Sequence, residues 1–289
     1  MTGRELFACY AFPPNELGYC GPADTTQAEL ASHAKEFDGA WPYLQAIADA
    51  AGIADPLDDD VVQNYWVGGP LLDKVDPGEL LSRLRSAFTG QVTGMLDDMM
   101  PGNALAHHSF HVFVVYPWVR FLHREPATPV SVMQACRIRW GTVESVDDEH
   151  VVISSPPLTF DGETLGLGDA HQDRVRWRKD DTSLAPAPKH GDLVAAHWDW
   201  VCATLTESDR DALADATRQV LDLVNRGPVS DGRSRVARVV MNSPQDRFGD
   251  DEPSGGRHRA SGEDRGAASN EPPPEVNPPA GGRHRAEDR

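Results

Sequence analysis

Residues 190–225 read HGDLVAAHWDWVCATLTESDRDALADATRQVLDLVN and place a strand directly before a helix. A Gly-Asp turn leads into an apolar run that is typical of a strand. Thr206 and Asp209 then form a capping pair at the start of the helix. Apolar side chains recur on one face of that helix, at Leu213, Val220, Leu221 and Val224. A Gly-Pro pair follows, so this stretch predicts a strand and a helix that close a folded unit.

Short strands are also predicted upstream of this stretch. The segments QACRIRWGTVESV (134–146), HVVISSPPLTF (150–160) and DRVRWRK (173–179) are rich in β-branched and aromatic residues, and turn residues separate them. Several short strands with one closing helix, within about 95 residues, are typical of a small barrel. We therefore predict an OB-like β-barrel with a C-terminal helix over residues 129–230.

Residues 1–128 carry helix signals instead. The segment VDPGELLSRLRSAF (75–88) begins with an Asp-Pro pair, which caps and starts a helix, and its leucines follow at helical spacing. Segments 23–37, 41–52 and 107–116 are further candidate helices, although the β-branched residues of the last one also allow a strand. The chain is therefore predicted to be α+β, with a mostly helical domain at 1–128 in front of the barrel.

The stretch at 231–289 differs in kind from the rest of the chain. It is rich in Pro, Gly and charged residues, and it nearly repeats itself in GGRHRASGEDR from 255 and GGRHRAEDR from 281. Such a composition cannot bury enough apolar area to offset the entropy of the chain. We predict a linker followed by a disordered tail.

Charge and cysteine content restrict the class of protein. The net charge of −18 disfavours nucleic acids and anionic membranes as partners. The most apolar stretch, FHVFVVYPWVRFL (110–122), is too short to span a bilayer and contains Pro117 and Arg120. The cysteines have no paired spacing, and the N-terminus has no apolar region of the secretory type. These features predict a cytoplasmic protein with free thiols.

Two short motifs follow one another within residues 134–226. The first is Cys136-Arg-Ile-Arg-Trp-Gly-Thr-Val143, and the second is Gly191-Asp-Leu-Val-Ala-Ala-His197, after which the helix begins. In this order, the motifs resemble the HypC/HupF family of small chaperones, which carry the iron group of nickel-iron hydrogenases. Members of that family begin with a Cys-x-x-x-Pro-Gly-x-Val strand and later show a Gly-Asp-x-Val-x-x-His strand.

The resemblance implies a metal carrier with two protein ligands. In that family, a cysteine and a histidine hold an iron that carries cyanide and carbonyl ligands, and the cysteine also contacts the hydrogenase large-subunit precursor. Cys136 and His197 stand at the matching positions. A thiolate and an imidazole are suitable ligands for such an iron. We expect Arg137 or Arg139 to lower the pKa of the thiol and so to favour the thiolate.

The resemblance therefore predicts a hydrogenase maturation factor that is not an enzyme. Its partners would be the hydrogenase large-subunit precursor or other maturation proteins, with no nucleic acid and no membrane. The N-terminal half is similar to an uncharacterised family associated with hydrogenase genes, and we expect it to recognise the precursor. We expect the two ligands at the barrel surface, beside a partner-binding surface that consists of Arg137, Arg139, Trp140, Trp198 and Trp200.

A second histidine cluster supports a different interpretation. His107 and His111 lie four residues apart, so a helix would place them on one face as a weaker candidate metal pair. Together with His108 and a carboxylate such as Asp97 or Asp98, they would form the site of a metal-dependent enzyme. A third interpretation is a scaffold or interaction protein whose barrel binds no metal.

Overall fold

The computed structural model describes residues 1–227, and the predicted linker and tail at 231–289 lie outside the described residues. Residues 1–227 belong to one compact unit. In this part of the chain, helices come first and a mixed sheet follows, which confirms the predicted α+β order. Within residues 1–227, no helix is both long and apolar enough to cross a bilayer.

Helices make up the first part of the described chain. The α-helices before the sheet are α1 (Gly3–Glu16), α2 (Trp41–Ala51), α3 (Asp59–Trp66), α4 (Pro77–Ala87), α5 (His108–Phe110) and α6 (Ala127–Cys136). Shorter 3-10 turns lie at Leu30–Glu36, Leu72–Lys74, Leu96–Asp98, Pro101–Asn103 and Pro117–Phe121. A π-helical segment, His111–Val115, directly follows α5.

Local sequence accounts for the ends of several helices. At the start of α1, Thr2 and Glu5 form a reciprocal capping box, which satisfies two backbone N–H groups. The side chain of Asp76 accepts a hydrogen bond from the Glu79 backbone at the start of α4. Gly52 ends α2 with a φ of 70°, a left-handed conformation that glycine adopts without steric cost.

Strands make up the second part of the described chain. They are β1 (Arg139–Val146), β2 (His150–Ser155), β3 (Leu158–Phe160), β4 (Leu165–Leu167), β5 (His171–Arg176), β6 (Arg178–Lys179), β7 (Thr182–Ser183), β8 (Leu193–His197) and β9 (Trp200–Thr204). Helix α7 (Glu207–Arg226) closes this part, and Thr206 with Asp209 forms the predicted capping box.

Five strands of the sheet pair in the order β1-β2-β5-β9-β8, and β8 pairs in turn with β1. The neighbours are antiparallel except for β5 and β9, which meet in parallel at Arg176 and Trp200. We call this set of strands the strand ring. Strands β3 with β4, and β6 with β7, form separate two-stranded hairpins.

The structure corrects two details of the strand prediction. The predicted strand at 190–201 is a hairpin, because β8 and β9 are joined by a tight turn at Trp198 and Asp199. Trp198 therefore lies in this turn and not on a strand with Trp200, and its φ of 51° is unusual for a bulky residue. Cys136 was expected on a strand, but it is the last residue of α6.

Two hydrophobic clusters lie inside the fold. The larger one joins the helices to the sheet and includes Phe7 of α1, Met133 of α6 and Trp200 of β9. The predicted domain boundary after residue 128 falls inside α6. The smaller cluster, which we call the ring core, lies within the strand ring and consists of Val143, Val151, Ile153, Val175, Ala185, Val194, Ala196 and Val201.

Candidate metal centre

Three potential metal ligands converge where the helices meet the strand ring. His108 begins α5, Cys136 ends α6 and His197 ends β8. One ligand atom from each of these residues lies within 4.8 Å of the other two. All three residues are buried, with 5%, 6% and 1% of their surfaces exposed. We call this group the metal centre.

Backbone hydrogen bonds hold the three segments together. The N–H of Trp198, directly after His197, donates to the carbonyl of Ala135 in α6 at 2.8 Å. The Nε2 of His108 lies 3.0 Å from the carbonyl oxygen of Cys136. The turn after β8 and the first residue of α5 are therefore both placed against the last turn of α6.

The ring orientation of His197 leaves one nitrogen free. Its Nδ1 lies 2.7 Å from the backbone carbonyl of Tyr10. A carbonyl can only accept a hydrogen bond, so Nδ1 carries the proton in the neutral ring and Nε2 keeps its lone pair. That Nε2 is buried and has no hydrogen-bond partner in the protein. A histidine ligand is commonly held in this way, with its second nitrogen bound to a backbone carbonyl.

Two prolines in α1 explain why the Tyr10 carbonyl is available to His197. Helix α1 continues through Pro13 and Pro14. In a regular helix, the N–H of residue 14 would donate to the carbonyl of residue 10, but proline has no N–H. The Tyr10 carbonyl therefore lacks its usual intrahelical donor, and the His197 ring supplies one.

A hydrogen-bond chain through Tyr65 would support the same tautomer of His108 once an ion is bound at Nε2. The Tyr65 hydroxyl lies 2.7 Å from the carbonyl of Gly39 and 3.0 Å from Nδ1 of His108. Because a carbonyl can only accept a hydrogen bond, Nε2 of His108 carries the proton when no ion is bound and donates it to the Cys136 carbonyl. An ion bound at Nε2 would replace that proton, and the ring would then carry its proton on Nδ1, where the Tyr65 oxygen can accept it while the hydroxyl donates to Gly39.

Burial keeps both imidazoles neutral. It lowers the pKa of His108 to about 4, and it lowers the pKa of His197 well below its usual value, with the neighbouring His108 as a further cause. Both rings are therefore uncharged at neutral pH. A neutral imidazole is the form that binds a metal ion.

The Cys136 thiol has the opposite pKa shift to the one expected. Burial raises its pKa well above the usual value, and Cys20 is the second cause. The expected lowering by Arg137 or Arg139 is wrong, because both guanidinium groups bind other partners. Arg137 donates to the Pro156 carbonyl, and Arg139 pairs with the carboxylate of Asp173 at 3.0 Å. A metal ion would have to displace the thiol proton in order to bind.

The donor set fits a borderline or soft metal ion. Two imidazole nitrogens and one sulfur are ligands typical of zinc, iron and copper. In a tetrahedral zinc site, the ligand atoms lie roughly 3.3–3.8 Å apart, so the group needs to contract by about 1 Å around an ion. The three residues line a cavity of about 20 Å³. That space holds about one water molecule or one ion.

The other two histidines of the second cluster have different positions. His111 lines the same cavity, and its ring centroid lies 6.3 Å from that of His108. Its Nδ1 has no hydrogen-bond partner in the protein. His107 is the N-cap of α5, where its Nδ1 accepts a hydrogen bond from the Ser109 backbone at 3.0 Å. His107 is not among the residues that line the cavity.

This arrangement does not support the predicted enzyme site. His107 and His111 are not on one face of a regular helix, because α5 ends at Phe110 and a π-helical segment begins at His111. Among residues 1–227, the one group with metal-binding geometry contains no carboxylate. Asp97 and Asp98 are exposed on a separate 3-10 turn.

The predicted partner-binding surface is largely buried. Arg137 and Trp200 are fully buried, Arg139 and Trp140 are 5% and 8% exposed, and Trp198 is half-buried. The arginines are buried because each guanidinium group finds internal partners, which include the face of Trp140 for Arg137. In this conformation, a partner can therefore contact Trp198 and no other member of the predicted surface. Cys136 and His197, which were expected at the surface, are also buried.

The sequence motifs place Cys136 and His197 in one site, and the structure brings them together. From the sequence, His108 belongs only to the alternative enzyme site, and Tyr10 and Tyr65 have no predicted role. The density of histidines at 107–111 was a signal for His108. No local pattern marks the two tyrosines, because their hydrogen bonds join residues that are far apart in the chain.

A comparison with models of protein families gives a match to the chain. The model of a family of unknown function, DUF6390, matches residues 1–230. No curated protein and no solved structure matches the chain.

Proposed function

The chain belongs to the DUF6390 family, and we propose that it is a metal-binding maturation factor that holds one ion at His108, Cys136 and His197. It would carry the ion, or a group built on it, to a partner protein in the cytoplasm. The observation that carries this proposal is the convergence of the three ligand atoms within 4.8 Å, with Nε2 of His197 free of any partner.

The likeness of the two sequence motifs to the iron-carrying chaperones supports one cargo in particular. On that basis, we propose that the cargo is iron with cyanide and carbonyl ligands, and that the recipient is a hydrogenase large-subunit precursor or another maturation protein. The proposal includes an OB-like form for the strand ring, as that resemblance implies. His108 extends the donor set beyond the Cys136 and His197 pair.

Carrier function fits the chemistry of the centre better than catalysis does. A hydrolytic metal site usually places a carboxylate or another base beside the metal-bound water. In the part of the chain that the structure describes, the histidines and the thiol have no such carboxylate among them. Three ligands leave coordination positions open, which a carrier needs in order to accept and release its cargo. The proposal therefore requires no chemical step on a substrate.

The size of the cavity sets a condition on the cargo. A cavity of about 20 Å³ has space for one water molecule or one bare ion, and an iron that also carries cyanide and carbonyl ligands is larger than that. Loading of such a group therefore requires the segments that line the cavity to separate. The segment after α1 is the candidate for this movement, because it supplies the half-buried residue Cys20 to the cavity wall.

The proposal is tested by metal analysis and infrared spectroscopy. The full chain is purified without oxygen from a host that expresses hydrogenase maturation genes. We expect about one metal ion per chain, and infrared bands from iron-bound cyanide and carbonyl, which absorb where protein does not. Both signals should be lost in Cys136→Ala and His197→Ala, because each change removes a ligand.

Cys202→Ala is the matched control for these variants. Cys202 is also buried, but it is not among the residues that line the cavity, so the variant should keep the metal. Circular dichroism establishes that each variant is folded. Metal without the infrared bands would support the centre and exclude the iron group as cargo. A folded wild-type chain that binds no metal under any loading condition would overturn the proposal.

A further inference from the structure

A second thiol lines the cavity of the metal centre. Cys20 lies in the segment at 17–24, which follows α1, and it is half-buried. Cys136, His108 and His197 line the same cavity. Cys20 is not within the group whose atoms lie 4.8 Å or less apart, so it has to move inward to reach an ion held there.

The segment that carries Cys20 has a defined backbone conformation. The side-chain amide of Asn15 donates to the carbonyls of Cys20 and Pro22, at 2.8 Å each. Gly18 and Gly21 flank the cysteine with φ values of 75° and 76°, which side chains disfavour. A Cβ at Gly21 would also lie 2.3 Å from the ring of Phe37. The segment therefore approaches the helices closely, and this places the thiol over the cavity.

The Cys20 sulfur is held only weakly in this position. It lies 3.9 Å from the hydroxyl of Tyr116, at the outer limit of a sulfur hydrogen bond. The sulfur-bearing residue Cys136 lines the same cavity. Cys20 is thus a thiol without a strong partner at the wall of the metal centre.

An independent observation indicates that the centre lacks a partner. His197 lines the cavity and is 1% exposed, and its Nε2 has no hydrogen-bond partner in the protein. A buried unpaired nitrogen costs free energy unless a ligand satisfies it. An ion bound there by three side chains needs a fourth donor to complete a tetrahedral shell.

Building on the proposed metal centre, we infer that Cys20 is its fourth ligand, carried to and from the ion by the segment at 17–24. With Cys20 bound, a divalent ion such as Zn²⁺ or Fe²⁺ has two thiolate sulfurs and two imidazole nitrogens. With Cys20 displaced, one position opens for the ligands of a cargo or for a group of the recipient protein. Each thiol releases one proton when its sulfur binds the ion, and no oxidant is needed.

Two aromatic rings hold the segment in place. The ring of Tyr19 packs on the indole of Trp198, with centroids 4.4 Å apart. Trp198 follows His197 directly and has the strained φ of 51°. This contact connects the position of the Cys20 segment to the turn that also positions the His197 ligand.

The inference is tested on the full chain loaded with Co²⁺, which reports its sulfur ligands through thiolate-to-cobalt charge-transfer absorption and through X-ray absorption. We expect two sulfur ligands in the wild-type protein. In Cys20→Ser, the charge-transfer intensity should fall by about half while cobalt stays bound, because three ligands remain. Cys202→Ser should keep both sulfurs, since Cys202 does not line the cavity.

A pair of glycine variants tests whether the second sulfur ligand depends on the position of the segment, with both cysteines kept. Gly21→Ala keeps both cysteines but forces the segment away from Phe37, so the second sulfur should be lost. Gly18→Ala imposes a similar backbone strain where a Cβ meets nothing within 4 Å, and it should keep two sulfurs.

The outcomes distinguish this inference from the proposed function. One sulfur in the wild type, with no change in Cys20→Ser, would overturn the role of Cys20 and leave the metal centre intact. Cobalt binding that survives Cys136→Ser unchanged, or no cobalt binding by the wild type, would overturn the metal centre itself and this inference with it.

Discussion

The ring core and the metal centre are both buried, but they differ in how they accommodate polar atoms. The ring core is aliphatic, and its residues are at most 9% exposed. The metal centre contains a thiol and an imidazole nitrogen, Nε2 of His197, that has no partner. Because an unpaired buried polar atom destabilises a fold, we infer that the ring core supplies stability and the centre gives some of it up for ligand binding.

The contrast extends to the surroundings of the centre. Nε2 of His107 and Nδ1 of His111 are also buried without a partner in the protein. Burial lowers the pKa of each ring to about 3, so both are neutral at pH 7. The histidines at 107–111 therefore form a weakly satisfied polar layer beside a well-packed aliphatic core.

The largest expected effect comes from a change in the ring core. Ile153 lies in β2 and is fully buried. It packs closely against Gly141 of the neighbouring strand β1. Ile153→Ala should lower the free energy of unfolding by about 2–5 kcal/mol, because it leaves a cavity that the ring cannot fill. Urea denaturation measures this loss.

Metal affinity, measured on the same variants, shows whether the ring core and the metal centre have separate roles. If the two regions are separate in role, the folded fraction of Ile153→Ala should still bind one ion with wild-type affinity. His197→Ala should show the reverse, with binding lost and a smaller change in stability. Equal losses of affinity in both variants would contradict the separation of roles.

The sequence predicted more of the ring core than of the centre. Strand signals near β1, β2 and β5 are local, because the alternation of apolar residues lies within a few positions. His108, by contrast, meets Cys136 across 28 residues and Tyr65 across 43 residues. No spacing rule describes such contacts. The ordered motifs found Cys136 and His197 because both sit at the ends of local elements.

Helix α1 shows why other parts of the site were missed. Pro13 and Pro14 are residues that end helices, so the sequence from Pro13 to Pro22, which is dense in turn formers, predicts a loop. The structure continues the helix to Glu16 and uses the missing N–H of Pro14 for the bond from His197 to Tyr10. The helix thus continues through two prolines at the point where the metal centre uses the free carbonyl of Tyr10.

An intermediate effect is expected from Tyr65→Phe, which removes the hydroxyl between His108 and the Gly39 carbonyl. Without it, the His108 ring loses the group that holds its Nδ1, so the dissociation constant for Co²⁺ or Zn²⁺ should rise about 10–100-fold. Isothermal titration calorimetry measures the change.

Tyr43→Phe is the matched control for Tyr65→Phe. Tyr43 is equally buried, its ring packs against Tyr65, and its hydroxyl has no hydrogen-bond partner. Removal of that hydroxyl should leave metal affinity within about twofold, since no bond is lost. Equal effects of the two variants would show that Tyr65 acts through packing and does not orient His108.

The smallest effect tests how α1 supports the centre. Pro14→Ala restores an N–H that can donate to the Tyr10 carbonyl and compete with His197 Nδ1. A typical hydrogen bond contributes about 0.5–1.5 kcal/mol, so metal affinity should fall by roughly twofold to tenfold. Pro13→Ala restores an N–H one residue earlier, toward Cys9, and should leave the affinity unchanged. If both variants bind metal like the wild type, the free Tyr10 carbonyl is a consequence of the helix geometry and does not orient His197.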